Sequence, residues 1–145
     1  MNYEIQDVRE SDREVLVALR LSAMKESLER VGRYDPVRAR ERFLAGFKAK
    51  DTKKIVISKN LVGFYVLRNN GDHLLLDHLY IDPGFQGTGL GGMVMSSIKQ
   101  YAKELKISIR LGALKRSKAN EFYKKHGFVS THEEEWDIYY EFKYC

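Results

Sequence analysis

The sequence contains few residues that form covalent or metal cross-links. Its 145 residues include one cysteine, at position 145, and four histidines. A single cysteine excludes internal disulfides, and its terminal position argues against a role as a nucleophile. His73 and His78 are not accompanied by a second ligand at metal-site spacing, so we expect no metal and interpret them as residues on a strand face.

The sequence also lacks long apolar runs. None approaches the roughly 20 residues that a membrane-spanning helix needs. The first four residues, Met-Asn-Tyr-Glu, have neither the basic segment nor the apolar core of a signal peptide. These absences predict a cytoplasmic protein that does not interact with a membrane.

The overall composition is typical of a globular protein, with 43% hydrophobic and 31% charged residues. The length predicts one domain, residues 1–145, that can bury a core. The net charge is +5, and a basic surface can attract nucleic acid. However, no basic run with interleaved aromatic residues stands out, so we expect no nucleic-acid partner.

The most informative stretch is a strand, a glycine-rich turn and a helix. The apolar segment Leu74–Ile81 predicts a strand that ends at Pro83, and the turn covers residues 86–92. An amphipathic helix follows, with one predicted apolar face: Leu90, Val94, Ile98, Tyr101 and Leu105. The first amides of a helix have no internal partner, and glycine lets an anion approach them. The stretch therefore predicts a phosphate-binding site.

Two common glycine motifs fit this turn poorly. A Walker loop ends in Gly-Lys-Ser/Thr, and this turn has no lysine. The dinucleotide pattern G-x-G-x-x-G is present at Gly87, Gly89 and Gly92, but it also needs an acidic residue about 20 positions later. Residues 106–119 include no Asp or Glu. A turn that only redirects the chain is the remaining alternative.

A third motif, Q-x-x-G-x-G, is filled by Gln86, Gly89 and Gly91. A second block matches A-x-x-F-Y-x-x-x-G-F with the following residues: Ala119, Phe122, Tyr123, Gly127 and Phe128. In this order and spacing, the two blocks resemble the GNAT superfamily of acetyl-CoA-dependent N-acetyltransferases. The resemblance is good over residues 55–130 and holds only in outline at the ends.

The resemblance implies acetyl-CoA as cosubstrate, which is itself polyanionic. It implies that amides of the turn bind the pyrophosphate and that the backbone of the central strand binds the pantetheine and the acetyl carbonyl. The implied contact residues are Leu79, Tyr80, Ile81, Gln86, Gly87, Thr88, Gly89, Leu90, Gly91, Gly92, Asn120 and Tyr123. For Leu79 and Ile81 only the backbone is meant, since their side chains are expected in the core.

The resemblance also implies roles in acetyl transfer. Tyr123 matches the tyrosine that protonates the departing thiolate, and a phenol can donate that proton. The alternative is a tyrosine that packs beside Phe122 with its hydroxyl in solvent. Asn120, one turn earlier, is expected to hydrogen-bond the coenzyme. Many family members have an asparagine seven residues before the tyrosine, where this chain has Arg116.

The general base is Asp77 by the same resemblance, since an acidic residue at this place serves as base in some members. A buried Asp77 would have a raised pKa suited to this role. The alternative is that Asp77 only bonds a neighbouring backbone group. The other candidates for the base are Glu135, Asp137 and His78.

The predicted function is transfer of the acetyl group from acetyl-CoA to a primary amine, directly in a ternary complex. The acceptor is a small molecule or a peptide, and the expected substrate-binding residues are Met24, Tyr34, Glu135 and Trp136. The run of glutamates at 133–135 attracts a cationic amine or is a solvated turn. The alternative function is a non-catalytic sensor that binds acetyl-CoA or a nucleotide. A homodimer through an exposed sheet edge or through the last hairpin is a further alternative.

The pattern predicts a strand, two helices, three strands, a helix, a strand, a helix and two strands, which is the order in GNAT folds. The fold class is α+β with a mixed sheet, since a helix between the fourth and fifth strands implies a parallel pair. We predict that a capping box of Ser11 and Glu14 opens the first helix, and that Asp35 and Pro36 open the second.

Overall fold

The computed structural model describes residues 2–144, which form seven strands and four α-helices. The elements are β1 (Glu4–Asp7), α1 (Arg13–Arg30), α2 (Pro36–Gly46), β2 (Thr52–Ile57), β3 (Asn60–Asn69), β4 (His73–Ile81), α3 (Leu90–Leu105), β5 (Ser108–Leu114), α4 (Ala119–Lys125), β6 (Val129–Glu133) and β7 (Asp137–Phe142). This is the predicted order of elements. Within residues 2–144, no helix is both long enough and apolar enough to cross a membrane.

The strands form one mixed sheet in the order β1-β2-β3-β4-β5-β7-β6. The pairs β1–β2, β2–β3, β5–β7 and β6–β7 are antiparallel. The pair β4–β5 is parallel, as predicted, and its register matches His73–Leu75 with Ser108–Arg110. β4 itself continues to Ile81 and carries the residues that precede the glycine turn.

The contacts group into two compact units. The first unit takes the chain up to Val66 together with His78–Thr88, and the second takes Leu67–Asp77 together with the chain from Gly89 onward. The prediction of a single domain stays a prediction.

The first unit has an apolar core between α1, α2 and β3. The buried side chains of this core are Val8, Leu16, Val17, Leu19, Phe43, Phe64 and Val66. The rings of Phe43 and Phe64 meet edge to face with their centroids 5.5 Å apart, an arrangement that aromatic pairs favour. This packing fixes both helices against the sheet.

The start of α1 differs from the prediction, and the start of α2 agrees with it. The helix α1 begins at Arg13 after a 3-10 turn, Glu10–Asp12. The proposed capping box of Ser11 and Glu14 is wrong, because Asp12 Oδ2 accepts from the Arg9 amide at 2.9 Å and starts the turn earlier. For α2, Asp35 accepts from the amide of residue 38 at 3.1 Å, and Pro36 is the first helical residue.

The second unit has its core on the buried face of α3. The buried residues of that helix are Leu90, Val94, Met95, Ile98 and Ala102. Tyr101 and Leu105 are 45% and 39% exposed, so their predicted place on the buried face is wrong. Residues four apart lie on one side of a helix, and the buried series 90, 94, 98 continues to Ala102. Met95, which follows Val94 in the chain, is also buried and widens this face of the helix.

Candidate active site

The segment after β4 is tied together by its own side chains. Asp82 Oδ1 accepts from the Gly84 amide at 2.8 Å, in a 3-10 turn that covers Pro83–Phe85. Gln86 Nε2 donates to the carbonyl of Ile81 at 2.9 Å, which anchors the start of the loop on the end of β4. The hydroxyl of Thr88 donates to the carbonyl of Phe85 at 2.6 Å. These bonds hold the loop in one shape.

The glycines of this loop have a conformation that other residues rarely adopt. Gly87 and Gly89 have φ angles of +77° and +89°, and a Cβ on either would meet no heavy atom within 4 Å. Gly89 is the N-cap residue of α3 and brings no capping side chain to the first helical amides. Residues 86–89 are exposed. The loop thus presents unshielded amides at the positive end of a helix dipole, which suits an anion.

The end of β4 lies close to the backbone of β3. Leu79, Tyr80 and Ile81 are half-buried. A Cβ on Gly63 would lie 2.6 Å from the carbonyl oxygen of Tyr80, closer than real contacts allow. Glycine at 63 therefore permits the close approach of the two strands at the point where the resemblance implies backbone contacts.

A hydrogen-bonded group of three side chains lies on α1 and β4 in the first unit. The hydroxyl of Tyr80 is 2.8 Å from His78 Nδ1 and accepts from Arg20 Nε at 3.1 Å. Arg20 also donates to the carbonyl of Ala39 on α2 at 2.9 Å. The His78 ring meets Phe43 edge to face at 5.3 Å. Sequence analysis named His78 only as one candidate base and did not find Arg20, which is 60 residues from Tyr80.

Asp77 is more exposed than its predicted role as a buried general base requires. Its side chain is 39% exposed, and Oδ2 lies 3.1 Å from Nε of Arg68. The assumption of a buried carboxylate is wrong. Its partner Arg68 lies on the neighbouring strand β3.

Tyr123 lies on α4 among aromatic rings and is only 7% exposed. Its ring centroid is 5.5 Å from that of Phe122, 5.6 Å from Phe128 and 6.2 Å from Tyr140. The packing that sequence analysis raised as the alternative for Tyr123 is therefore present. It fixes the ring and leaves open the role of the hydroxyl.

Asn120 uses its side chain inside the protein. It is 7% exposed, and Nδ2 donates to the carbonyls of Leu114 and Ser117 at 2.9 and 3.0 Å. Oδ1 accepts from the hydroxyl of Tyr140 at 2.8 Å. This arrangement does not support the predicted side-chain contact with the coenzyme, because donors and acceptor are already engaged.

The four expected substrate-binding residues fall in both units. Met24 and Tyr34 are half-buried in the first unit, where Lys25 Nζ lies 5.8 Å from the centre of the Tyr34 ring. In the second unit Glu135 is exposed, and Trp136 is 39% exposed.

A cleft of about 760 Å³ opens in the second unit on the strands β4, β5, β7 and β6. Its lining includes four carboxylates, which are Asp77, Glu134, Asp137 and Glu141. Arg110 also lines the cleft and pairs with Glu141 at 3.1 Å. No local pattern in the sequence indicated this cleft, since its lining comes from four strands.

Tyr139 stands on the wall of this cleft. Its ring stacks on His132 with centroids 4.6 Å apart. Burial raises the pKa of the Tyr139 hydroxyl, and the negative charges of Glu134 and Asp137 raise it further. The charges that act on the Tyr139 hydroxyl are therefore negative, although the whole chain carries a net positive charge.

Among residues 2–144, no three His, Cys, Asp or Glu side chains form a group that could hold a metal ion.

Comparison with known proteins gives one family. The family model of the GNAT acetyltransferase domain matches residues 23–137. A search of curated proteins found no match.

Solved structures with a similar fold cover almost the whole chain. The PaiA N-acetyltransferase from Thermoplasma acidophilum, solved in complex with coenzyme A, has a TM-score of 0.73 and 20% identity over 99% of both chains. A GNAT-family acetyltransferase from Staphylococcus aureus Mu50 has a TM-score of 0.77 and 18% identity over 99% of this chain and 100% of its own. The ribosomal-protein-S18-alanine N-acetyltransferase from Escherichia coli has a TM-score of 0.74 and 14% identity over 98% and 94%. The predicted α+β GNAT fold is confirmed.

Proposed function

Because the chain belongs to the GNAT family of acetyltransferases, we propose that it transfers the acetyl group of acetyl-CoA to a primary amine, directly in a ternary complex. The observation that carries the proposal is the open glycine loop before α3. Both glycines with positive φ face free space, and the helix amides have no capping side chain. An acyl carrier with a pyrophosphate is the kind of ligand that such a loop binds.

The loop would hold the pyrophosphate through main-chain amides from Gln86 to Gly92. The side chains of Gln86 and Thr88 point back to carbonyls at 2.9 and 2.6 Å, so they support the loop rather than the ligand. Each amide then contributes a hydrogen bond to a charged acceptor, which is stronger than a bond between neutral groups.

The backbone of Leu79, Tyr80 and Ile81 would bind the pantetheine and orient the acetyl carbonyl, as the resemblance implies. Tyr123 would protonate the departing thiolate. Its ring is fixed by three aromatic neighbours, which reduces the entropy lost on aligning the hydroxyl. We assign Asn120 a supporting role for α4 and not a ligand contact.

The acceptor is an amine, and the substrate class is open between a small molecule and a peptide. The structurally similar enzyme from E. coli acts on an alanine of a ribosomal protein, which favours testing peptides beside small amines. The acidic cleft favours an acceptor with a positive charge. We keep Met24, Tyr34, Glu135 and Trp136 as proposed substrate-binding residues.

The experiment is an assay of thiol release from acetyl-CoA with a panel of amines, including small mono- and diamines and peptides with a free N-terminus. We expect turnover with at least one amine. The Tyr123→Phe variant should lose at least about tenfold in turnover, the low side of a general-acid effect. Tyr101→Phe, an exposed tyrosine on α3, is the matched control and should keep wild-type activity.

The alternative is a sensor of the same fold that binds acetyl-CoA without turnover. It predicts saturable binding of acetyl-CoA with no thiol release for any amine, and such a result would replace the enzyme by the sensor. If the assay shows turnover that Tyr123→Phe does not reduce, Tyr123 is removed from the mechanism while the transferase survives.

Three further expectations stay predictions. They are a cytoplasmic location, a homodimer, and the absence of nucleic-acid and membrane partners. Gel filtration with light scattering tests the dimer, and a gel shift at low and high salt tests nucleic acid, since such binding weakens steeply with salt.

A further inference from the structure

The first turn of α3 has a histidine ring packed against it, and both belong to the second unit. A Cβ placed on Gly92 would lie 3.3 Å from Cε1 and 3.4 Å from Nε2 of His126, which is tighter than side chains usually pack. Because residue 92 is a glycine, the imidazole reaches the backbone of the turn. The amide of Met93 donates to the carbonyl of Gly89 at 3.1 Å, so the amides of residues 90–92 precede the hydrogen bonds of the helix.

The position of this ring is fixed by the backbone that carries it. His126 is the residue that ends α4, and its amide donates to the carbonyls of Phe122 and Tyr123 at 3.2 and 3.1 Å. Its own carbonyl accepts from Lys99 Nζ on α3 at 2.9 Å. The Phe122 ring packs on the imidazole with the two centroids 4.5 Å apart. The imidazole therefore lies beside the first turn of α3 before any ligand binds, which lowers the entropy lost on binding.

The ring nitrogens of His126 are available for a ligand. Within the described residues, 2–144, His126 forms hydrogen bonds only through its backbone amide and carbonyl. Its side chain is half-buried, so part of the ring remains accessible beside the turn. A protonated imidazole donates from both nitrogens, and such a ring can contact an anion whichever tautomer its neutral form has.

In the free protein this imidazole lies close to positive charge. Burial lowers its pKa below the ordinary value of 6.5, and the charges of Lys99 on α3 and Lys125 on α4 lower it further. The positive end of the α3 dipole acts in the same direction. The ring is therefore mostly neutral at pH 7. The same positive groups that oppose a proton on the ring attract an anion to the turn.

An anion at the turn reverses this balance. A diphosphate bound to the amides of residues 90–92 brings negative charge next to the ring. An opposite charge within about 4–6 Å favours the charged form of a titratable group. Protonation of the ring and binding of the anion therefore stabilise each other, and each raises the equilibrium constant of the other by the same factor.

We propose that His126 is a further coenzyme-binding residue, which takes up one proton from solvent when the pyrophosphate of acetyl-CoA occupies the first turn of α3. This rests on the proposed function, in which that turn binds the pyrophosphate. The imidazolium adds a full positive charge to a group of uncharged amides, and no covalent bond of the coenzyme changes. Between the pKa of the ring in the free protein and its higher pKa in the complex, the coenzyme binds more tightly as the pH falls.

The probe for the test is 3′-dephospho-coenzyme A, because it keeps the pyrophosphate and lacks the 3′-phosphate monoester. A phosphate monoester has a second pKa of about 6 and loses charge as the pH falls, which would weaken binding over the same range. Calorimetry from pH 5.5 to pH 8 measures the Kd of the probe for the wild type and for His126→Gln. We expect the wild-type Kd to be roughly three- to tenfold lower at pH 5.5 than at pH 8, and the Kd of His126→Gln to change by less than about twofold.

A second measurement needs no substitution at residue 126. An NMR titration of the imidazole carbon signals of the wild type gives the pKa of His126 with and without saturating probe, and we expect this pKa to rise when the probe binds. It tests the proposal even if His126→Gln does not fold. His73→Gln, at a half-buried histidine at the start of β4, is the matched control for the calorimetry and should keep the wild-type dependence of the Kd on pH.

The outcomes are distinguishable. If the probe binds and the pKa of His126 does not rise, or if the Kd of folded His126→Gln follows the pH as in the wild type, the proposal for His126 is wrong while the proposed function stands. If neither the probe nor acetyl-CoA binds at any pH, the proposed function fails first and the proposal for His126 fails with it. If the expected pH dependence is found and no amine is acetylated, His126 binds the coenzyme of a sensor, and only the transferase is overturned.

Discussion

The hydroxyl of Tyr140 on β7 donates a hydrogen bond of 2.8 Å to Oδ1 of Asn120 on α4, and both residues are buried. Asn120 also donates to the carbonyls of Leu114 and Ser117. One amide thus connects α4 to β7 and to the chain that follows β5. The residue that sequence analysis assigned to the coenzyme is part of the internal support of α4.

The Tyr140→Phe variant should lose stability because the acceptor Oδ1 of Asn120 would remain buried without this donor. Such a loss costs about 1–3 kcal/mol in the free energy of unfolding. Urea unfolding followed by circular dichroism measures it. Tyr101→Phe, on the exposed side of α3, should change the same quantity by less than about 0.5 kcal/mol. Equal stabilities of the two variants would contradict the supporting role of the bond.

The glycine loop offers a matched pair for testing coenzyme binding. Gly89 and Gly71 have φ angles of +89° and +91°, and a Cβ on either meets nothing within 4 Å. Alanine should therefore cost both sites a similar backbone strain, roughly 1–2 kcal/mol. Only Gly89→Ala places a methyl group beside the helix amides, and it should raise the Kd for acetyl-CoA at least about tenfold by calorimetry. A comparable rise of the Kd for acetyl-CoA in Gly71→Ala would mean that the affinity depends on the stability of the protein and not on the shape of the loop.

Local patterns were sufficient for most of the fold. The chain from β4 to α3 could be predicted because strand residues, a proline stop and a glycine turn each have a direct backbone cause. The same holds for the cap that Asp35 provides to α2. The Ser11 capping box failed because a 3-10 turn already begins at Glu10, with Asp12 accepting from the Arg9 amide, so that Ser11 lies inside the turn and not before a helix.

The site was less predictable where its contacts join residues that are far apart in the sequence. The bond from Arg20 to Tyr80 joins residues 60 apart, and no spacing rule reaches that far. Asp77 is exposed and pairs with Arg68 across a strand pair, so the burial that its role assumed is absent. The shift of the α3 face from Tyr101 to Ala102 is a smaller error of the same kind, because packing chose among residues that periodicity alone treats alike.

Two glycines in strands, Gly63 and Gly112, should differ in the stability that is lost when a methyl group is added. A Cβ on Gly63 would lie 2.6 Å from the backbone oxygen of Tyr80, while a Cβ on Gly112 would lie 2.9 Å from a ring carbon of Tyr139. A backbone atom in a sheet cannot move cheaply, whereas a ring can rotate. We expect Gly63→Ala to lose about 1–3 kcal/mol of unfolding free energy and Gly112→Ala to lose clearly less, as measured by urea unfolding. The reverse order would refute the close approach at Tyr80.

The acidic cleft can be tested without knowing the acceptor. Burial is the main cause of the raised pKa of Tyr139, and the charges of Glu134 and Asp137 add to it. Glu134→Gln should therefore lower the pKa of Tyr139 toward the ordinary phenol value without reaching it. A pH titration of the tyrosine carbon signals by NMR measures the change. Glu41→Gln, an exposed glutamate on α2 in the first unit, should leave the Tyr139 titration unchanged.

His126, which follows α4, gives a prediction for the pH dependence of stability. Burial lowers its pKa below the ordinary value of 6.5, and the positive charges of Lys99 and Lys125 lower it further. Between the folded pKa and 6.5 the unfolded chain binds more protons, so the free energy of unfolding rises with pH there. This contribution is fully present above pH 6.5 and is lost as the pH falls through the folded pKa.

The measurement is the free energy of unfolding in urea at intervals from pH 5 to pH 7.5. His126→Gln cannot titrate and should have a shallower slope than the wild type below pH 6.5. Lys125→Gln removes the weakest of the three causes, so its slope should lie between the other two. The ring of His126 lies against the first turn of α3, where its Cε1 would be 3.3 Å from a Cβ placed on Gly92. If His126→Gln and the wild type have the same slope, the pKa of His126 is the same in the folded and unfolded chains, and this burial has no effect on the pH dependence of stability.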